Sequence, residues 1–119
     1  MKSGISISSG EIWLVPFPYS DYSNTKKRPV LVITNKFHNK FSQSILVCQI
    51  TSQIKLRNSL PINTESLEFG SLHRPSEVRF DNILNLDKKH FDEKIGKLDS
   101  QNMKFAKHGI NSFVKRCIF

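Results

Sequence analysis

The strongest constraint on this chain is a series of strand-sized apolar runs, each ended by proline or by a polar, basic stretch, with no long helical repeat until the C-terminus. Gly10-Glu-Ile-Trp-Leu-Val-Pro-Phe17 is rich in bulky and branched residues and is closed by Pro16 and Pro18, which predicts a first strand. A loop over Tyr19 to Lys27 leads into Arg28-Pro-Val-Leu-Val-Ile-Thr34, where Pro29 suits the start of a second strand. A polar stretch, Asn35 to Gln43, separates this from a third strand, Ser44 to Thr51. A basic loop follows over Gln53 to Asn58, then a short strand around Leu60 to Asn63 and a turn centred on Gly70. Ser76 to Leu86 alternates imperfectly between apolar and polar residues, which predicts a strand with a bend or bulge near Asn82. Lys94 to Leu98 can add a last short strand.

The pattern then changes period. Asp99 or Ser100 is a suitable N-cap, and Met103, Ala106, Ile110, Phe113 and Val114 fall on one face of a helix. Gly109 weakens that helix, whereas Lys115 and Arg116 suit its C-terminal end. Five or six short strands closed by one helix predict a mainly β fold, a small and strongly bent sheet or barrel. At 119 residues the chain has room for a single domain spanning 1–119.

Charge narrows the partners. Eighteen Lys and Arg against ten Asp and Glu give a net +8, so a polyanion is expected. Runs such as Ile12 to Phe17 and Val30 to Ile33 are too short to span a bilayer, and no membrane association is expected. The first twenty residues carry Glu11 and two prolines and lack a signal-like apolar stretch, which makes the cytoplasm the expected location. Cys48 lies in an apolar run and Cys117 near the end, without the spacing of a metal site. His38, His73, His90 and His108 are scattered, and the aspartates lack the pairing of a two-metal nuclease, so neither metal nor cofactor is expected. His73 stands out because it precedes Arg74 in the loop leading to Arg79.

Three places set cations and hydroxyls beside strand ends: Lys26-Lys27-Arg28, Thr51-Ser52-Gln53, and Arg79-Phe80-Asp81. Each also fits a plainer role, as a solvated loop, turn-forming hydroxyls or a surface ion pair. Together they contain what RNA cleavage needs. The 2′-hydroxyl must lose a proton, the crowded phosphorus must be stabilised, and the leaving 5′-oxygen must meet a proton or a cation. One carboxylate and two arginines can serve, because the planar guanidinium holds two phosphate oxygens at once.

These residues sit in blocks that resemble one family. Gly10-Glu-Ile-Trp-Leu-Val-Pro-Phe-Pro-Tyr-Ser-Asp21, Lys27-Arg-Pro-Val-Leu-Val-Ile-Thr34 and Ile50-Thr-Ser-Gln53 are similar to the first three strands of PemK/MazF-like toxins. Ser76-Glu-Val-Arg-Phe-Asp81, with Leu86-Asp87 and Ile95-Gly-Lys-Leu98, is similar to their later strands, and the PemK-like subgroup is the better match. The resemblance implies an SH3-like small barrel of the PemK/MazF/CcdB type, a homodimer, an acidic antitoxin partner, and sequence-selective cleavage of single-stranded RNA, usually mRNA. Carried over by position, Arg28 and Thr51 bind phosphate, Asp81 takes the 2′-hydroxyl proton and Arg79 meets the leaving oxygen. The products are a 2′,3′-cyclic phosphate and a 5′-hydroxyl. Lys26, Lys27, Ser52, Gln53, Lys55 and Arg57 are the expected RNA-binding residues.

The loop before Arg28 departs from the family. Ser23-Asn-Thr-Lys-Lys27 stands where many MazF-type members carry an acid, a glutamine and a glycine, leaving Asp21 and Asn24 as the nearest polar substitutes. An Asp flanked by arginines is also a weak base, so phosphate stabilisation is expected to carry more of the rate. The alternative function is a non-catalytic module of the same fold that binds nucleic acid or sequesters an antitoxin.

Overall fold

The structure, a computed structural model, describes residues 5–16 and 26–119. Its strands are β1 (Glu11–Pro16), β2 (Lys27–Val32), β3 (Ser44–Thr51), β4 (Ser59–Ile62), β5 (Leu67–Gly70), β6 (Ser76–Asp87) and β7 (Glu93–Leu98). Its helices are α1 (Lys36–Phe41) and α2 (Ser100–Cys117), with single 3₁₀ turns at Thr64–Ser66 and Lys88–His90. All strand pairs are antiparallel, and the order across the sheet is β4-β6-β3-β2-β1-β7-β5.

Consecutive strands β4 and β5 therefore lie at opposite edges. Seven flat strands would hold those edges roughly 29 Å apart at the usual spacing. The chain from Ile62 to Leu67 reaches at most about 18 Å even when extended. The sheet must roll until its edges approach, and it forms a curled half-barrel.

Both faces of the rolled sheet are covered. Trp13, Val15, Val30, Val32, Ile45, Val47 and Leu86 join Ile7 and Phe91 in one buried cluster. Ile12, Leu31, Cys48, Ile50, Val78 and Phe80 join Ile62, Leu98 and Ala106 of α2 in the other. Successive residues of a strand point to opposite faces, so strands buried on both sides appear as unbroken apolar runs.

The expected bulge lies in β6. Cys48 faces Ile83, yet Ile50, two residues further along β3, faces Val78. The four residues 79–82 thus stand opposite Gln49 alone. The inward side changes across this bulge, since Val78, Phe80 and Ile83 contact the α2-side cluster whereas Leu84 and Leu86 contact the other. That change is the cause of the imperfect alternation in the sequence.

Helix α2 begins at its expected cap, where Asp99 Oδ1 accepts from the Asn102 N–H at 2.8 Å. Ala106 is buried and Met103, Ile110 and Phe113 are partly buried against the sheet, but Val114, expected on the same face, is 37% exposed. Three other expectations differ. There are seven strands rather than five or six; Gly70 ends strand β5 instead of centring a turn; and the stretch 35–43 contains α1. Helix α1 is held by its Asn35 cap and by buried Asn39, whose Nδ2 donates to the carbonyls of Ile7 and Thr34. Its Phe37 and Phe41 are exposed, so no buried apolar face announced it. The loop expected over Tyr19 to Lys27 lies, apart from Lys26 and Lys27, outside the described residues.

Gly109 has a packing role. A Cβ there would lie 2.2 Å from Cε2 of Phe80, whose ring is only 6% exposed and has nowhere to swing. Gly109→Ala should gain about 1 kcal/mol of helix propensity and lose about 1–3 kcal/mol to overpacking. The expected outcome is a lower urea midpoint at unchanged slope, and a smaller drop when the same change is made in a Phe80→Leu background.

Candidate active site

The β6 bulge turns Phe80 inward and leaves its neighbours Arg79 and Asp81 on the outer side. Their side chains form a two-pronged pair, Arg79 Nε to Asp81 Oδ1 at 3.1 Å and Nη2 to Oδ2 at 2.8 Å. Arg79 Nη1 also donates to Glu77 Oε2 at 2.6 Å. Glu77 is fully buried, and its other oxygen accepts from the backbone N–H groups of Lys55 and Leu56, each at 3.1 Å, and from Ser59 Oγ at 3.0 Å. Leu56 sits at φ 57°, in the left-handed region that non-glycine residues rarely enter. The carboxylate that collects two successive N–H groups offsets that strain.

Burial alone would raise the Glu77 pKa, but hydrogen bonds from Arg79, the Leu56 N–H, Ser59 and the Lys55 N–H outweigh it and hold the carboxyl below its usual range. The Arg79 guanidinium is held above its usual value by hydrogen bonds to Glu77 and then Asp81.

A cleft of about 330 Å³ opens over this pair, lined by Gln49, Thr51, Gln53, Lys55, Arg79, Asp81 and Asn82. A second cleft, about 560 Å³, is lined by Lys27, Arg28, Thr51, Ser52, His73, Arg74 and Ser76 among others, with Leu14, Ile50, Leu72 and Ile95 as its apolar part. Thr51 borders both. The structure thus brings Thr51, Gln53, Lys55, Arg79 and Asp81 together, and places Arg28, Lys27 and Ser52 on the far side of Thr51. Lys26 and Arg57 are exposed and border neither cleft. Lys27 Nζ meets Asp92 Oδ2 at 2.5 Å with both side chains about half exposed. Asp21 and Asn24 lie outside the described residues.

Three residues that build the first cleft, two lining it and one buried beneath Arg79, are not singled out by the sequence. Glu77 is one, and its signal was a charge set directly before Val78, inside the apolar part of β6. Gln49 and Asn82 are the others, joined across the bulge by Asn82 Nδ2 to Gln49 Oε1 at 2.6 Å. Neither carries a sequence signal, because the bulge alone makes them neighbours.

The family model for PemK-like, MazF-like toxins of type II toxin–antitoxin systems matches residues 8–114. The chain belongs to this family. Endoribonuclease EndoA of Bacillus subtilis is 37% identical over 78 residues, which cover 64% of this chain and 66% of EndoA. Among solved structures, Mycobacterium tuberculosis toxin MazF-mt6 superposes with a TM-score of 0.73 at 22% identity, over 88% of this chain and 96% of that one. An endoribonuclease in complex with its cognate antitoxin from Mycobacterial species does so with a TM-score of 0.73 at 14% identity, over 93% and 97%.

In this PemK/MazF-family chain the remaining nucleophiles and histidines stand apart from the first cleft. Burial, then the Asp81 charge, pushes the Cys48 thiol up to about 12, so it stays protonated. Cys117 is exposed, His73 borders the second cleft beside Arg74, and His38, His90 and His108 border neither. Among the described residues no three His, Cys, Asp or Glu are grouped to hold a metal ion, and no helix is long and apolar enough to cross a membrane.

The lowered Glu77 carboxyl has a pH consequence. A depressed folded-state pKa contributes stability that is fully present above the unfolded value, near 4.5, and is lost as the pH falls through the folded value. Wild type should therefore lose more stability on acidification below that value than Glu77→Gln does. Urea midpoints of the two proteins at neutral pH and at successively lower pH read the difference, and parallel curves would count against it.

Proposed function

We propose that this chain is the toxin of a type II toxin–antitoxin pair and a metal-independent, sequence-selective endoribonuclease acting on single-stranded mRNA in the cytoplasm. The observation that carries this reading is the Arg79–Asp81 pair, presented on the β6 bulge in a cleft that also holds Thr51 and Lys55. Family membership and the names of its relatives support it: EndoA is an endoribonuclease, and one structural neighbour is an endoribonuclease held by its cognate antitoxin.

In this proposal a strand of RNA runs past Thr51 from one cleft to the other. Thr51 and Arg28 hold a phosphate from one side, and Arg79 approaches it from the other. Asp81, whose side chain is 33% exposed, takes the proton of the 2′-hydroxyl. The 2′-oxygen attacks phosphorus, the bond to the 5′-oxygen breaks, and the leaving oxygen takes a proton from the Arg79 guanidinium or from water while that guanidinium compensates the charge that develops there. The ends are a 2′,3′-cyclic phosphate and a 5′-hydroxyl, and DNA is spared because it lacks the attacking group. Gln53, Ser52, Lys26, Lys27, Lys55 and Arg57 serve as the surrounding RNA contacts. The net charge of +8 suits both the RNA and an acidic antitoxin segment competing for the same surface, and the active species is a homodimer.

The test is direct. Purified protein in EDTA should cut a long RNA into discrete fragments with 5′-hydroxyl ends, and Arg79→Ala should lower the rate about 100- to 1000-fold. Lys55→Ala should retain cutting but reduce the slope of log affinity against log salt by about 0.7. Salt-sensitive binding with uncut RNA at micromolar protein would replace this reading with the binding-module alternative.

A further inference from the structure

We propose that Glu77 is the positioning residue of this site: a fixed counter-ion that keeps Arg79 aimed while Asp81 leaves it, and that fastens the Lys55-bearing loop to the same arginine. The proposal rests on the ribonuclease reading above and adds a residue to it.

The two carboxylates on Arg79 differ in freedom. Asp81 is 33% exposed and, among the described residues, its carboxylate accepts side-chain hydrogen bonds from Arg79 alone, so it can turn towards a ligand. Glu77 is fully buried. One of its oxygens is occupied by Lys55 N–H, Leu56 N–H and Ser59 Oγ, and only the other is directed to Arg79 Nη1. It cannot follow a departing phosphate or a rotating guanidinium without breaking three other bonds.

In the structure the Asp81 oxygens occupy the single Nε–H and one Nη2–H of Arg79, so a phosphate can take that same fork of donors only if Asp81 turns away from it. An arginine held by Asp81 alone would then lose its only fixed contact. With Nη1 held by Glu77, Nε and Nη2 become available to phosphate oxygens and keep their orientation. The charge balance agrees, since one buried carboxylate leaves the guanidinium paired and directed after Asp81 turns away. The same carboxylate organises the backbone of residues 55–59, so Lys55 in the cleft and the Arg79 fork are set by one group.

Three variants of the full chain separate these roles. Glu77→Gln keeps an acceptor for the loop but removes the charge facing Arg79. It should keep wild-type circular dichroism and the slow hydrogen exchange of the Lys55 and Leu56 amides, while kcat on a long RNA falls about 10- to 100-fold with little change in KM. Glu77→Ala should lose that amide protection as well and raise KM. Glu77→Asp, with charge retained and reach shortened, gives the readout if Glu77→Gln fails to fold; its kcat should also fall with KM unchanged. An active wild type with wild-type kcat in Glu77→Gln, or in Glu77→Asp, overturns the proposal and leaves the ribonuclease reading standing. Losses that only follow the folded fraction at each temperature overturn it too. A wild type that cuts no RNA overturns the ribonuclease reading, and the positioning role with it.

Discussion

The demand that residues 63–66 carry the chain from one edge of a seven-stranded sheet to the other shapes everything else in this molecule. A segment of that length cannot cross a flat sheet, so the sheet rolls and its two faces become different environments. One face receives Ala106 and its neighbours on α2. The other closes over Trp13 with Ile7 and Phe91. The longest strand, β6, carries a bulge where four residues face one across the ladder and two polar side chains leave the sheet together. Bulges of this kind bend a strand and redirect side chains, and here the redirected pair is Arg79 and Asp81.

The site that results is graded by burial. Glu77 lies deepest, Arg79 is 12% exposed above it, and Asp81 and Lys55 meet the solvent. A charge placed that deep is tolerable only when it is hydrogen-bonded and paired, and Glu77 has four donors around it, three on one oxygen and Arg79 on the other. Gln49 and Asn82 complete the floor by joining their side-chain amides across the bulge, so that the Asn82 donor and the Gln49 acceptor each have a partner.

Much of this was legible from local pattern. The third strand, Ser44 to Thr51, is legible with both its ends because its apolar run is bounded by polar residues. The disturbed alternation of Ser76 to Leu86 disclosed the bulge, and Asp99 with its periodic followers disclosed α2. What stayed hidden depends on distant partners. Strand β5 exists because β7 pairs with it, and Gly70 there approaches Ile95 so closely that a Cβ would lie 2.1 Å from its carbonyl oxygen. Helix α1 is stabilised by a buried asparagine rather than an apolar face. The four residues proposed for RNA chemistry come from resemblance, and their division between two clefts that share Thr51 is visible only in the fold. Glu77 was hidden for the opposite reason: an acid in a strand suggests an exposed edge, and only the folded loop over it shows otherwise.

The contact between Phe80 and Gly109 links β6 to the C-terminal helix through a ring where a side chain would normally stand. Two positions far apart in the chain therefore share a single volume. Filling position 109 can strengthen the helix only as far as position 80, the residue between Arg79 and Asp81, gives up volume. The weak point of α2 is thus set by a strand it covers, and the two positions are sized as one unit.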